Sequence, residues 1–133
     1  MKERELTGNT GEISKQLVNP WTWERIPDLP QKQRTGIGYD GLLCNPPFLA
    51  IRTEVKIGNR KLKPSEENKA KKCKDSGEWY FILRYWTTYW TLENLTTTEK
   101  YEGELNSILR QITQKINWVV LEAKRHGKRK RNL

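Results

Sequence analysis

The sequence predicts one domain of the α/β class, in which helices pack on a sheet. Residues 21–26, WTWERI, alternate aromatic or apolar side chains with polar ones, as a half-buried strand does. Residues 78–86, EWYFILRYW, are almost continuously apolar, which is typical of a strand covered on both faces. From Thr98 to Lys124 apolar residues recur at helical spacing and predict a long C-terminal helix. A chain of 133 residues that is 35% hydrophobic can bury one such core, but not two.

A short helix and a hairpin are predicted in the first half of the chain. The helix is GEISKQLV at 11–18, and it ends at Asn19-Pro20 before the strand at 21–26. Farther along, Pro46-Pro47 predicts the bend of the hairpin. Counting outward from Pro47 places Asp40 directly opposite Glu54, since each lies seven residues away. The second strand of this hairpin has one apolar face, which consists of Leu49, Ile51, Val55 and Ile57.

A second helix is predicted from Ser65, a residue type suited to the N-cap, up to Gly77. Its first turn is acidic and lysines follow, an order that suits the helix dipole. At the end of the chain, HGKRKRNL has no apolar residue before its last. We therefore expect a single domain over residues 1–126 and a flexible basic tail over residues 127–133.

The charge of the chain indicates a polyanionic partner. The formal net charge is +9 and the sequence pI is about 9.7. Nucleic acid is favoured over a membrane because no apolar stretch of about 18 residues is present and the N-terminus does not resemble a signal peptide. Cys44 and Cys73 are the only cysteines, so we expect a reducing cytoplasm, including the host cytoplasm if the protein is encoded by a virus or phage.

The predicted hairpin brings together two carboxylates and an ammonium group. Glu54 and Lys56 point to the same face of their strand, and Asp40 lies opposite Glu54. Like charges opposed on a sheet repel each other, which is harmless if both side chains reach solvent. The alternative is a divalent cation, Mg²⁺ or Mn²⁺, which two carboxylates can hold beside a phosphate oxygen. Such a cation polarises a phosphodiester, and the ammonium stabilises developing negative charge.

Other chemistries find no support in the sequence. The only histidine, His126, lies next to the basic tail, far from any acid suited to orient it in a catalytic triad. Two cysteines and one remote histidine cannot form an ordinary zinc site. The chain has neither a GxxxxGK[ST] nor a GxGxxG motif, so no nucleotide-binding loop is predicted.

Asp40 with Glu54-Val55-Lys56 resembles the signature of the PD-(D/E)xK nuclease superfamily. The order that follows, a loop with Lys61-Leu62 and Pro64, a helix, Gly77 and an apolar strand, is similar to the branch of virus-type replication and repair nucleases (VRR-NUC) and Holliday junction resolvases. The resemblance covers about residues 36–86. It implies a restriction-endonuclease-like αβββαβ core with a mixed central sheet. The chain departs from it in having Tyr39 before the aspartate and no glutamine on the second helix.

By this resemblance the protein is expected to be a metal-dependent endodeoxyribonuclease acting on branched or otherwise structured DNA, as a homodimer. The implied catalytic residues are Asp40, Glu54 and Lys56. The implied ligands of Mg²⁺ or Mn²⁺ are Asp40, Glu54 and the Val55 carbonyl, with Glu12 as the acid expected from the first helix. Phosphates are expected to contact Arg34, Arg60, Lys61, Lys63, Lys128, Arg129, Lys130 and Arg131. The alternatives are a non-catalytic DNA-binding or replication-accessory protein on the same fold, and an RNA endonuclease.

Overall fold

A computed structural model of the chain describes residues 3–8, 10–26, 38–45 and 49–116. Along these residues two helices are followed by three strands, a helix, three more strands and a last helix. Their bounds are α1 Glu3–Thr7, α2 Glu12–Gln16, β1 Thr22–Arg25, β2 Gly41–Asn45, β3 Leu49–Ile57, α3 Pro64–Ser76, β4 Tyr80–Tyr85, β5 Trp90–Asn94, β6 Lys100–Gly103 and α4 at residues 105–116. The predicted tail at 127–133 and the end of the predicted C-terminal helix lie outside the described residues.

The six strands form one mixed sheet in the order β1-β2-β3-β4-β5-β6. Strands β3 and β4 run parallel, and every other neighbouring pair is antiparallel. Parallel neighbours need a crossover connection, and helix α3 lies within it. The predicted α/β class, with a mixed sheet and a helix towards the C-terminus, is therefore confirmed.

Helices cover both faces of the sheet. One core lies on the side of α1, α2 and α4 and contains Leu6, Ile13 and Leu105 packed on Val55 and Phe81 of the sheet. A smaller core lies under α3. It contains Ala70 and Cys73 of the helix with Tyr80 and Ile82 of β4. Because side chains alternate along a strand, the even-numbered residues of β3 face α3, and this is the face of Glu54 and Lys56.

The hairpin has the predicted register. Gly41 pairs with Thr53 and Asn45 with Leu49, which sets Asp40 opposite Glu54 one step beyond the last pair. The predicted apolar face of β3 is also confirmed, since Ile51 and Val55 belong to the larger core and Leu49 and Ile57 pack against it.

Two predicted helix starts are wrong. Helix α3 begins at Pro64, and its N-cap is Lys63 rather than Ser65; proline suits the first helical position because it has no N–H to leave unpaired. The C-terminal helix does not begin at Thr98. The Asn94 side chain accepts hydrogen bonds from the N–H groups of Thr96 and Thr97 and forms a turn, after which Lys100–Gly103 pairs with β5 as β6.

Among the described helices, none combines the length and the apolar character that crossing a membrane would require. The longest of these described helices, α3, is rich in lysine and exposes most of its side chains.

Candidate active site

The hairpin fixes Asp40 on strand β3. The Asp40 N–H donates to the Thr53 carbonyl at 3.0 Å, and the Asp40 Oδ2 accepts from the Val55 N–H at 2.8 Å. Two backbone contacts thus hold the carboxylate beside Glu54. Val55 contacts Asp40 through its N–H; the role of its carbonyl as a metal ligand stays a prediction.

Glu54 and Lys56 are buried beneath helix α3. Their exposed fractions are 3% and 2%, and Lys56 Nζ lies 3.3 Å from Glu54 Oε1. The interpretation in which both opposed acids reach solvent is therefore wrong for Glu54. Burial of this kind requires partners for every charge, and a second acid supplies one.

That second acid is Glu66 of the first turn of α3. Its Oε1 lies 3.0 Å from Lys56 Nζ and also accepts from the Lys63 N–H at 2.7 Å. Glu66 thus satisfies an N–H group at the start of the helix and holds the Lys56 ammonium at the same time. An acid three residues after the N-cap is a sequence signal for the contact with the helix start. The resemblance instead implies a glutamine on this helix as the auxiliary residue of the site, and the chain has no glutamine there.

The three carboxyl groups of Asp40, Glu54 and Glu66 shift one another's pKa values. Burial, the hydrogen bond to Glu66 and the charge of Asp40 raise the pKa of Glu54 to about 10. Burial also raises the pKa of Asp40, against its hydrogen bonds with Val55 and Glu54. For Glu66, burial is outweighed by hydrogen bonds with Glu54, Lys63 and Lys56, which lower its pKa. This pKa favours the protonated form of Glu54 at neutral pH, with Asp40 and Glu66 as its acidic neighbours.

Lys56 keeps its charge in this cluster. Burial alone would lower the pKa of its ammonium, but the hydrogen bond to Glu66 and the charges of Glu54 and Glu66 outweigh burial and raise it. At neutral pH the group can therefore donate hydrogen bonds and stabilise negative charge, but it cannot accept a proton.

Glu3, on helix α1, acts on Asp40 through its charge, which contributes to the raised pKa of Asp40. Helix α1 precedes the helix that the sequence predicted, and it packs against β3. Glu12 contacts Lys15 at 3.7 Å and accepts a hydrogen bond of 3.5 Å from Gln16, both in α2. Its role as a metal ligand stays a prediction.

Tyr80 supports the segment before β2 that contains Asp40. This side chain is completely buried, and its hydroxyl donates to the Gly38 carbonyl. Gly38 has a φ of 73°, and a Cβ there would lie 2.7 Å from the Lys69 Cβ, so only glycine fits. Burial and the charges of Glu54, Glu66 and Asp40 raise the pKa of Tyr80, which keeps its hydroxyl protonated as a donor.

The predicted phosphate contacts divide into two groups. Arg60, Lys61 and Lys63 lie exposed in the loop between β3 and α3, which leads into the helix turn that carries Glu66. Arg84 pins this loop by donating to the Gly58 carbonyl at 2.9 Å, and Glu3 binds Arg60 at 2.8 Å. The others, Arg34, Lys128, Arg129, Lys130 and Arg131, lie outside the described residues.

The acids fit a hard divalent cation in type, with two carboxylates to bind it. Among the described residues no three His, Cys, Asp or Glu side chains are arranged as a metal-binding group. Glu66 is already bound by Lys56 and the Lys63 N–H, so it is not a free third ligand. Asp40 and Glu54 remain as the two acids that could hold a cation. Two carboxylates with remaining positions filled by water or phosphate are a usual donor set for Mg²⁺.

Comparison of the chain with protein-family models, with curated proteins and with solved structures found no match in any of the three.

Proposed function

We propose that this protein is a divalent-metal-dependent endonuclease that hydrolyses phosphodiester bonds of branched or structured DNA. The observation that carries the proposal is the position of Asp40. The Val55 N–H holds its carboxylate at 2.8 Å directly beside Glu54, and Glu54 Oε1 in turn lies 3.3 Å from Lys56 Nζ. The order α, β, β, β, α, β over α2 to β4, with β3 and β4 parallel, supports it, because the PD-(D/E)xK resemblance implies this core.

Asp40, Glu54 and the Val55 carbonyl would hold Mg²⁺ or Mn²⁺. A bound cation supplies Lewis-acid polarisation of the phosphodiester and offsets the repulsion between the two acids. In the hydrolysis, the oxygen of a water molecule forms a bond to phosphorus and the bond to one bridging oxygen breaks; the water keeps one proton on phosphorus-bound oxygen and its other proton balances the one that the leaving oxygen gains.

Lys56 has an electrostatic role in this proposal. Because the Glu66 carboxylate keeps it charged, Lys56 would stabilise the negative charge that develops on the phosphate and orient the attacking water as a donor. Glu66 is a positioning residue, since it touches Lys56 and the helix terminus and not the reacting atoms. The exposed Arg60, Lys61 and Lys63 would contact phosphates next to the site.

A second candidate is a DNA-binding or replication-accessory protein without catalysis. The near-complete burial of Glu54 and Lys56 favours it, because a buried ion cluster can be purely structural. An RNA endonuclease would use the same residues, and the acid cluster does not distinguish the two nucleic acids.

One panel separates these candidates. Wild-type protein and Glu54→Gln are incubated with single-stranded, duplex, flap and four-way-junction DNA and with RNA of the same sequence, in Mg²⁺, Mn²⁺ or chelator. The matched control is Glu67→Gln, an exposed glutamate next to Glu66. We expect metal-dependent cleavage of branched DNA by wild type and by the control, and none by Glu54→Gln. Full activity of Glu54→Gln refutes the site, and DNA binding without cleavage by wild type favours the accessory protein.

A further inference from the structure

An open groove of about 740 Å³ lies next to the acid pair. The groove exists because β4 pairs with β3 only from Arg52 onward. Among the described strands, residues 49–51 of β3 therefore pair with β2 but have no strand on their other side. The segment 77–79 and Ile116 of α4 form the opposite wall. The volume is in the range of small-ligand sites.

Two aromatic rings and a guanidinium group line this groove. Both aromatic residues are half-buried; Tyr39 packs against the smaller core, and Trp79 packs against the larger core, where its ring stacks on Phe81 with centroids 5.9 Å apart. The Arg52 guanidinium lies 6.0 Å from the centroid of the Tyr39 ring and forms an ion pair with Glu78. The floor includes Ala50, an exposed residue whose side chain is a single methyl group. Flat π faces with a guanidinium beside them are suited to stacking a planar ring.

The groove continues directly into the candidate active site. Tyr39 precedes Asp40 in the chain, and Arg52 lies two residues before Glu54 on the same face of β3, about 7 Å along the strand. A nucleic acid strand that placed one phosphate at the acid pair would therefore bring its neighbouring nucleotide to Tyr39 and Arg52.

We propose that this groove binds an unpaired nucleobase of the nucleotide next to the phosphate at the acid pair. The inference rests on the proposed function for the position of that phosphate. A base within a duplex is stacked between its neighbours and exposes only its edges, so it cannot lie against Tyr39 or Trp79. The groove thus selects strands with unpaired nucleotides, such as flaps and the branch points of junctions, over continuous duplex.

Base recognition is measured without cleavage, in chelator. The probes are a short oligothymidylate and a strand of the same length that carries abasic sugars throughout, and the quantity is the ratio of their affinities. Stacking is worth about 1 to 3 kcal/mol per base, so wild type should bind the oligothymidylate about 5- to 150-fold more tightly. Since phosphate contacts are the same in both strands, they cancel in the ratio.

Variants at Tyr39 assign this ratio to the groove. Tyr39→Leu removes the aromatic face and should bring the ratio close to one, whereas Tyr39→Phe keeps the ring and should keep the ratio. The matched control is Tyr89→Leu. Tyr89 is also half-buried, but it stacks on Trp86 at 6.2 Å beyond the other end of β4, so this change should leave the ratio as in wild type.

A ratio near one in wild type overturns the proposal and needs no variant to be folded. An unchanged ratio in Tyr39→Leu also overturns it, and a loss in Tyr89→Leu equal to that in Tyr39→Leu would place base stacking elsewhere. The proposed function fails separately: a wild-type protein that cleaves no DNA but has a large ratio lost in Tyr39→Leu would keep the base site and lose the nuclease.

Discussion

Replacing Glu54 by glutamine should stabilise the protein in the absence of a cation, although the proposed activity depends on Glu54. The side chain is 3% exposed, and burial, Glu66 and Asp40 raise its pKa from an ordinary 4.5 to about 10. At neutral pH the carboxyl therefore carries a proton in the folded protein, whereas it ionises in the unfolded chain. Glu54 must therefore bind a proton when the chain folds, which costs free energy at this pH. Glutamine removes this cost at nearly constant shape.

The magnitude follows from the difference in proton binding. Between pH 4.5 and about 10 the folded state holds more protons than the unfolded state at Glu54, so stability falls as the pH rises. At about pH 7.5 the pH lies roughly 3 units above the unfolded pKa, and at about 1.4 kcal/mol per unit the loss is at most about 4 kcal/mol. Glu54→Gln recovers up to this amount, or about 10 °C in melting temperature at about 3 °C per kcal/mol.

Thermal unfolding in chelator, from about pH 5 to about pH 9, measures the effect. The advantage of Glu54→Gln should grow with pH by up to about 1.4 kcal/mol per unit, while the exposed control Glu67→Gln should follow wild type. Added Mg²⁺ should stabilise wild type, by about 2.7 kcal/mol at 100 times its Kd, and have little effect on Glu54→Gln. If Glu54→Gln is less stable than wild type at every pH, the carboxyl is ionised and paired with Lys56, and the reasoning fails.

Three further outcomes are expected. Glu66→Gln should have the opposite effect from Glu54→Gln and lower the free energy of unfolding at neutral pH by about 1 to 3 kcal/mol. The pKa of Glu66 is lowered in the folded protein, so its carboxylate stabilises the fold above the unfolded pKa, and this stability is lost as the pH falls. Equal stability of wild type and variant in chemical unfolding would contradict this. Deleting residues 127–133 removes four basic side chains and should make the logarithmic salt dependence of DNA affinity shallower by up to about 3 units; an unchanged slope means that these residues do not contact phosphate. Light scattering should give a homodimer, since a two-fold dimer supplies two sites for two strands, and a mass of 15.8 kDa at every concentration would refute it.

The acid pair could be located from the sequence because the hairpin obeys a simple rule. Side chains alternate along a strand and the proline pair predicts the bend, so counting residues sufficed to set Asp40 opposite Glu54 and Lys56 on the same face as Glu54. The core face of β3 follows from the same alternation. Neither inference needs knowledge of what packs above the sheet.

The remaining parts of the site depend on contacts that no local pattern contains. Helix α1 has only five residues, too few to show a repeated apolar pattern at helical spacing, and Leu6 is its one buried apolar side chain. Its Glu3 could therefore not be placed near Asp40. Strand β6 was missed for a related reason: Tyr101 fits the helical spacing of the residues after it, but its pairing with Leu92 decides its conformation. In both cases a tertiary contact determines the local structure.

The charges of the cluster also determine how cation and DNA affect each other. Fully ionised, the three acids Asp40, Glu54 and Glu66 with Lys56 carry a formal charge of −2, although the chain as a whole carries +9. In the proposed nuclease, the exposed basic loop would therefore attract a DNA strand that the acid pair would repel at short range. A divalent cation at the pair removes this repulsion, so it should raise the affinity for a phosphate placed there, and by linkage the DNA should raise the affinity for the cation by the same factor. Cation binding would also be coupled to the proton on Glu54, because that proton has to leave before the carboxylate can bind a cation.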